Sequence, residues 1–265
     1  MKKIGFIGAG NMGGALAAAV AKSGADVLLY DKDIVKANAL AKEISATSVT
    51  SDAVIENCDM VFLGVKPQIL PLVAKELSSA VATRGNKLCI VSMAAGVTLG
   101  QLEDFFPNTK IIRIMPNTPA SVGAGVILYA LGKNADETDE ALLCSALKPA
   151  GSLNKLDEKL IDAATAVSGC GPAFAYMFIE ALADGGVKCG LPRDKAQQFA
   201  AEMLLGAAKL CLESGKHPGE LKDAVCSPGG STIAGVSALE DGAFRASVID
   251  AVESAFVRTK ELSGK

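Results

Sequence analysis

Ile4-Gly5-Phe6-Ile7-Gly8-Ala9-Gly10-Asn11-Met12-Gly13-Gly14, near the start of the chain, joins an apolar run to a glycine-rich turn. Ile4, Phe6 and Ile7 make a strand-like apolar run that stops at Gly8, and from Asn11 the residues Met12, Ala15, Leu16, Ala19 and Val20 recur at helical spacing. The stretch reads strand, tight turn, helix. In a Gly-x-Gly-x-x-Gly turn, Gly8 turns the chain, Gly10 lets a pyrophosphate approach the backbone, and Gly13 packs the helix onto the sheet. The unpaired N–H groups at the helix start face the phosphates. Ile7, Gly8, Ala9, Gly10, Asn11, Met12 and Gly13 are therefore expected cofactor contacts.

Alone, that spacing is a weak signal, because glycine-rich turns without a ligand also produce it. Its context is specific: a strand precedes, a helix follows, and Asp31 ends a second strand-like run, Asp26 to Tyr30, where a carboxylate would bind a ribose 2′-hydroxyl. Lys2-Lys3 ahead of alanine-rich apolar sequence has the look of a secretory signal. The polar Asn11 and the glycines argue against one, so a cytoplasmic location is expected.

Half of the 265 residues are hydrophobic and the net charge is −3, which suits one large or two ordinary soluble domains with a well-buried core. No uninterrupted apolar run reaches the length of a membrane span, so no membrane partner is expected. Near-neutral charge, three Tyr and no Trp offer nucleic acid neither a basic nor a stacking surface. Seven scattered cysteines, without a Cys-x-x-Cys pair, indicate neither a zinc site nor a disulfide framework; reduced thiols are the simplest reading. The single histidine, His217, makes a histidine triad or a multi-histidine metal site unexpected, and no metal is assigned.

After Asp31, residues 34–44 read as a helix, 59–65 as a buried strand, 68–81 as a helix, and 87–93 and 110–115 as strands around a short helix at 99–105. Strands alternating with helices predict a parallel, doubly wound sheet covered on both faces, with ligands beyond the C-terminal strand ends. Val65-Lys66-Pro67, Ala94-Ala95-Gly96 and Met115-Pro116-Asn117-Thr118-Pro119 each follow a strand, and small residues there leave room for a flat nicotinamide ring. Pro and Gly punctuate such turns everywhere, but three such loops on one edge favour a site.

Strand signals vanish beyond Asn154, and helical patterns cover 158–188 (interrupted near 169–172), 193–214, 218–225, 231–239 and 244–262. The expected organisation is a Rossmann-type domain at 1–156 followed by an all-α domain at 157–265. Small-residue faces such as Leu204-Leu205-Gly206-Ala207-Ala208 allow close helix contacts, within one chain or between subunits. His217, followed by Pro218, reads as a helix-start residue. Between two of these helices lies Cys226-Ser227-Pro228-Gly229-Gly230-Ser231-Thr232, whose backbone N–H groups and hydroxyls make a small anion cradle fit for a carboxylate. Ser and Thr are also ordinary N-cap residues there.

Ser227 to Thr232, with Leu221-Lys222-Asp223 upstream and Gly242-Ala243-Phe244-Arg245 downstream, resembles the signature of pyrroline-5-carboxylate reductases. So do Val65-Lys66-Pro67, Ala94 to Thr98, Met115 to Pro119, Ser168 to Ala173, and Ala183 to Val187, in the expected order over nearly the whole chain. The resemblance implies reduction of L-1-pyrroline-5-carboxylate to L-proline, the last step of proline biosynthesis, with hydride from NADPH or NADH. It implies that Ser227, Gly229, Gly230, Ser231 and Thr232 hold the substrate, with the Thr232 hydroxyl near the ring nitrogen as the catalytic contact, and that Glu158 touches substrate or product. It assigns Val65, Lys66, Pro67, Ala94, Ala95, Gly96 and Asn117 to the cofactor. It also implies an interwoven homodimer that assembles further.

The chain departs from that family at Ser51, where many relatives carry Asn, which leaves the contact to the adenosine side open. Asp31 would repel a 2′-phosphate and Lys32 beside it would offset the repulsion, so the expectation leans to NADH with use of both cofactors. Cys226 is expected to be a buried, inert thiol. Two rivals remain. A β-hydroxyacid dehydrogenase would need a catalytic lysine that 173–182 lacks, and a non-catalytic dinucleotide sensor would not need the Ser227 to Thr232 cradle.

Overall fold

In the computed structural model, which describes residues 2–262, strand β1 (Lys3–Ile7) lies between β2 (Asp26–Tyr30) and β4 (Met60–Leu63), parallel to both. With β3 (Thr47–Ser48), β5 (Cys89–Ser92), β6 (Lys110–Met115), β7 (Gly125–Leu131) and β8 (Gly151–Lys155) they form one sheet in the order β3-β2-β1-β4-β5-β6-β7-β8. Chain order reverses between β1 and β4, the switch point at which such sheets open a crevice beyond their C-terminal ends.

Successive strand residues point to opposite faces, and the sequence fills both. Phe6, Phe62, Ile112 and Ile114 belong to one buried cluster with Leu16 and Val20 of α1 (Asn11–Lys22) and Leu143 of α6 (Glu137–Leu147). Ile7, Val61, Leu63, Ile90 and Ile111 belong to the other, with Leu77 of α4 (Leu70–Arg84), Leu102 of α5 (Leu99–Phe105) and Ile161 of α7 (Glu158–Ser168). Helix α2 (Ile34–Glu43) buries Ala37 and Ala41, and α3 (Ser51–Asn57) buries Val54 and Ile55. The Phe6 and Phe62 rings stack at 4.7 Å, worth ~0.5–1.5 kcal/mol beyond their burial.

The expected all-parallel sheet needs one correction: β6 and β7 run antiparallel. Their connection is the short 3-10 turn Thr118–Val122, too short for the crossover that parallel neighbours require. The sequence pattern does not announce β3, α3, β7, α6 and β8. Strand β7 (Gly-Val-Ile-Leu-Tyr-Ala-Leu) is an apolar run without alternation, which periodicity does not separate from buried helix.

The described residues divide into two compact units, one built from the chain up to Cys170 and from Ala255 onward, the other from Gly171–Ser254. Helix α7, expected to open the second domain, groups with the sheet because Ile161 and Ala166 are fully buried and Asp162 nearly so. The rest of the chain forms α8 (Gly171–Lys188), α9 (Arg193–Ser214), α10 (Pro218–Val225), α11 (Ser231–Asp241) and α12 (Phe244–Leu262), close to the expected helices. Within the second unit, Ala183, Ala196 and Ala200 are buried, while Tyr176, Met177, Leu182, Phe199, Met203 and Leu205 are exposed. Its helices leave much apolar surface uncovered. The run Glu158–Lys188 is long and apolar enough to pass a membrane-span test by length and composition, with mean hydropathy 1.3. The acidic Glu180 and Asp184 fall in its C-terminal part.

Candidate active site

The glycine-rich turn is built by close backbone approach. The Gly8 N–H donates to the Tyr30 carbonyl at 2.8 Å and the Gly64 N–H to the Ile7 carbonyl at 2.8 Å, which ties the ends of β1, β2 and β4 together. A Cβ on Gly13 would sit 2.2 Å from the Gly8 carbonyl oxygen, and one on Gly8, where φ is +103°, 2.6 Å from the Gly64 oxygen. Gly10 is different: a Cβ there would meet nothing within 4 Å. Gly10 is also the N-cap of α1, with no side chain accepting from the first amides. An open approach in front of uncapped N–H groups fits a dinucleotide pyrophosphate.

Asp31, just beyond β2, has both carboxylate oxygens engaged: Oδ2 accepts from Ala9 N–H at 2.6 Å and Oδ1 from Asp33 N–H at 2.9 Å. Lys32 beside it is exposed. Ser51 is the first residue of α3, after Thr50, whose hydroxyl caps that helix through Ala53 N–H. Val65, Lys66 and Pro67 connect β4 to α4, and Lys66 is exposed. Ala94, Ala95 and Gly96 follow β5, with Gly96 at φ +79°. Thr98 and Gln101 then close a reciprocal capping box on α5. Sheet topology thus brings the expected cofactor residues to one edge.

Asn117 follows β6 but has other partners than those expected. Its side-chain oxygen accepts from Val126 N–H at 2.9 Å and its amide donates to the Ser168 carbonyl at 2.9 Å. This carboxamide pins β7 and the end of α7. Glu158, the first residue of α7, accepts from Leu99 N–H and from Arg113 through the same oxygen, Oε1. Arg113 has a second partner in Asp162, and neither residue is among those expected from the sequence. The signal was there: one arginine inside Lys110-Ile111-Ile112-Arg113-Ile114-Met115, a strand otherwise buried, implies a buried partner.

The second unit carries the other expected group. Helix α10 ends at Val225, and Gly229 takes φ +68° before α11 starts at Ser231 with Gly230 as N-cap and no side-chain acceptor. A Cβ on Gly230 would lie 2.3 Å from Ser227 Oγ, a side-chain atom that would have to turn away from it. Ser227, Gly229, Ser231 and Thr232 are exposed. Lys222, before the loop, is held by Asp223 at 2.7 Å, which keeps its pKa above the usual lysine range, and Arg245 is held by Glu240 at 2.6 Å. Cys226, expected buried, is half-buried. His217 caps α10, its Nδ1 accepting from Gly219 N–H at 3.1 Å, as a helix-start residue should.

Pyrroline-5-carboxylate reductase of Arabidopsis thaliana is 43% identical to this chain, covering 98% of it and 95% of the relative. The chain belongs to the pyrroline-5-carboxylate reductase family. A family model described as pyrroline-5-carboxylate reductase dimerisation matches residues 158–262, and one described as NADP oxidoreductase, coenzyme F420-dependent, matches residues 3–96. Among solved structures, pyrroline carboxylate reductase of Plasmodium falciparum with NADP bound superposes with a TM-score of 0.88 at 32% identity, covering 99% of this chain and 100% of that one. The β-hydroxyacid rival fares worse. A 3-hydroxyisobutyrate dehydrogenase of Mycobacterium tuberculosis covers 72% of this chain and 67% of its own at 14% identity, TM-score 0.52, a likeness of fold alone.

Proposed function

We propose that this chain reduces L-1-pyrroline-5-carboxylate to L-proline with NAD(P)H. The observation that carries the reading is the uncapped Gly229 to Thr232 turn, retained in a chain 43% identical to a named reductase over 98% of its length. A dinucleotide sensor has no use for such a turn.

The substrate is a five-membered ring with a carboxylate and a C=N bond. The amides that open α11, with the Ser227 and Ser231 hydroxyls beside them, would hold the carboxylate at the positive end of the helix dipole. Thr232 would bond the ring nitrogen, and Glu158 would touch substrate or product. Protonation makes the imine carbon a strong electrophile, so this site needs orientation more than a strong acid, consistent with the absence of histidine from it.

Residues Ile7 to Gly13 would cradle the pyrophosphate, Asp31 and Lys32 the adenosine ribose, with Ser51 nearby, and Val65 to Pro67 and Ala94 to Gly96 the nicotinamide side. Bound there, NAD(P)H supplies the hydride that joins C5, while the C=N electron pair passes to the nitrogen. Asn117 acts on this wall indirectly, through Val126 and Ser168.

Residues 157–262 would form a homodimer, assembling further. The exposed Tyr176, Met177, Phe199 and Leu205 support this, as does the apolar groove of about 400 Å³ lined by Phe174, Met177, Phe178, Phe244 and Val248. Seven free cysteines suit a reducing, cytoplasmic setting. The reading is tested by supplying pyrroline-5-carboxylate and cofactor deuterated at nicotinamide C4. L-proline carrying deuterium at C5 supports it; nucleotide binding without labelled proline contradicts it.

A further inference from the structure

Arg113 sits where sheet physics disfavours a charge. Ile112 and Ile114 point into one core cluster, Ile111 and Met115 into the other, and Arg113 lies between the latter two at 1% exposure. Its Nη1 donates to Glu158 Oε1 at 3.1 Å and its Nη2 to Asp162 Oδ1 at 3.0 Å, while Nε, fully buried, has no acceptor among the described residues. Burying a guanidinium with one donor unsatisfied is costly, and such arrangements need a reason.

The two carboxylates are unequal. Glu158 and Asp162 are four residues apart on α7 and so share a face. The Asp162 side chain is 7% exposed, that of Glu158 28%. Oε1 of Glu158 is consumed by Arg113 and by Leu99 N–H at 2.6 Å, the first amide of α5, directly after the loop that begins at Ala94. Oε2 accepts no hydrogen bond among the described residues. One oxygen is fixed and the other is open. A purely structural ion pair would gain from engaging both.

We propose that Arg113 is a positioning residue of the reductase: anchored by Asp162, it holds the Glu158 carboxylate in one orientation and leaves Oε2 to bond the cationic nitrogen-bearing ring of the substrate. The inference rests on the reductase reading above. A fixed carboxylate suits a cyclic iminium or secondary ammonium ion, because charge and hydrogen bond act together. Asp162 serves as the counterweight that stops Arg113 from following Glu158 toward solvent.

Steady-state kinetics of Arg113→Lys, Asp162→Asn, Glu158→Gln and the Glu158→Gln double variants test this. Each of the first three raises KM for pyrroline-5-carboxylate about tenfold or more, the effect of a lost charge-assisted hydrogen bond, with cofactor Kd within about twofold. Adding Arg113→Lys or Asp162→Asn to Glu158→Gln makes the enzyme no worse than Glu158→Gln alone, because both act through Glu158. Multiplying losses in the double variants, or a cofactor Kd that rises as much as the substrate KM, overturns the proposal. Asp162→Asn keeps the test available if Arg113→Lys does not fold. Wild-type protein without turnover refutes the reductase reading; active wild type with an unaltered Arg113→Lys variant refutes only this inference.

Discussion

Asp31 Oδ2 lies 2.6 Å from the Ala9 nitrogen, so the carboxylate that ends β2 is bonded to the middle of the glycine-rich turn. With Asp33 N–H on its other oxygen, the side chain cannot swing away to admit a 2′-phosphate without giving up both bonds. Asp31→Ala is expected to shift the ratio of NADPH to NADH catalytic efficiency toward NADPH by about tenfold, the scale of ~1.4 kcal/mol. Parallel kinetics with the two cofactors measure it. An unchanged ratio places the reading of the 2′ position elsewhere.

Gly10 and Gly13 separate binding from folding. A Cβ at Gly10 enters open space, at a φ of −66° that alanine accepts, so Gly10→Ala should leave Tm nearly unchanged while weakening nucleotide binding. A Cβ at Gly13 would meet the Gly8 carbonyl oxygen at 2.2 Å, and Gly13→Ala should cost ~1–3 kcal/mol of stability as overpacking does. Thermal melts beside nucleotide titrations distinguish them; equal losses of Tm would mean that the space at Gly10 is not the ligand's.

Thr232 lies on an exposed first turn and supports no cap, so its hydroxyl has no structural duty there. Thr232→Ala should lower kcat/KM by the ~1–3 kcal/mol of one unmade hydrogen bond and leave cofactor Kd unaltered. Kinetics equal to wild type would remove Thr232 from the chemistry.

The glycine turn, the helices after Gly171 and the three loops at the sheet edge were legible because each obeys a local rule: a special φ, a period of 3.6, a breaker after a strand. What escaped is non-local. Nothing near Arg113 in the sequence names Glu158 and Asp162, 45 and 49 positions away, and nothing near Asn117 names Ser168. Periodicity does not separate the apolar run of β7 from buried helix, and the position of α7 depends on Ile161 reaching the core.

Acid stability has an identifiable contributor far from the site. Asp136, which caps α6, has its pKa lowered from 3.8 to about 2, first by its hydrogen bond from Lys110. Its folded pKa lies below its unfolded one, so it contributes stability above about pH 4 that is lost as pH falls toward 2. The Tm gap between wild type and Asp136→Asn should therefore be widest above pH 5 and shrink toward pH 2, as melts across that range report. A gap independent of pH would mean that the Asp136 charge contributes nothing beyond its capping geometry.

Whether the protein reduces a cyclic imino acid is read from absorbance: oxidation of NADH and of NADPH by the purified protein, with and without pyrroline-5-carboxylate. Rapid oxidation that requires the substrate is predicted, with NADH at least as effective as NADPH. Nucleotide binding with no substrate-dependent oxidation of either cofactor would rule out the reductase.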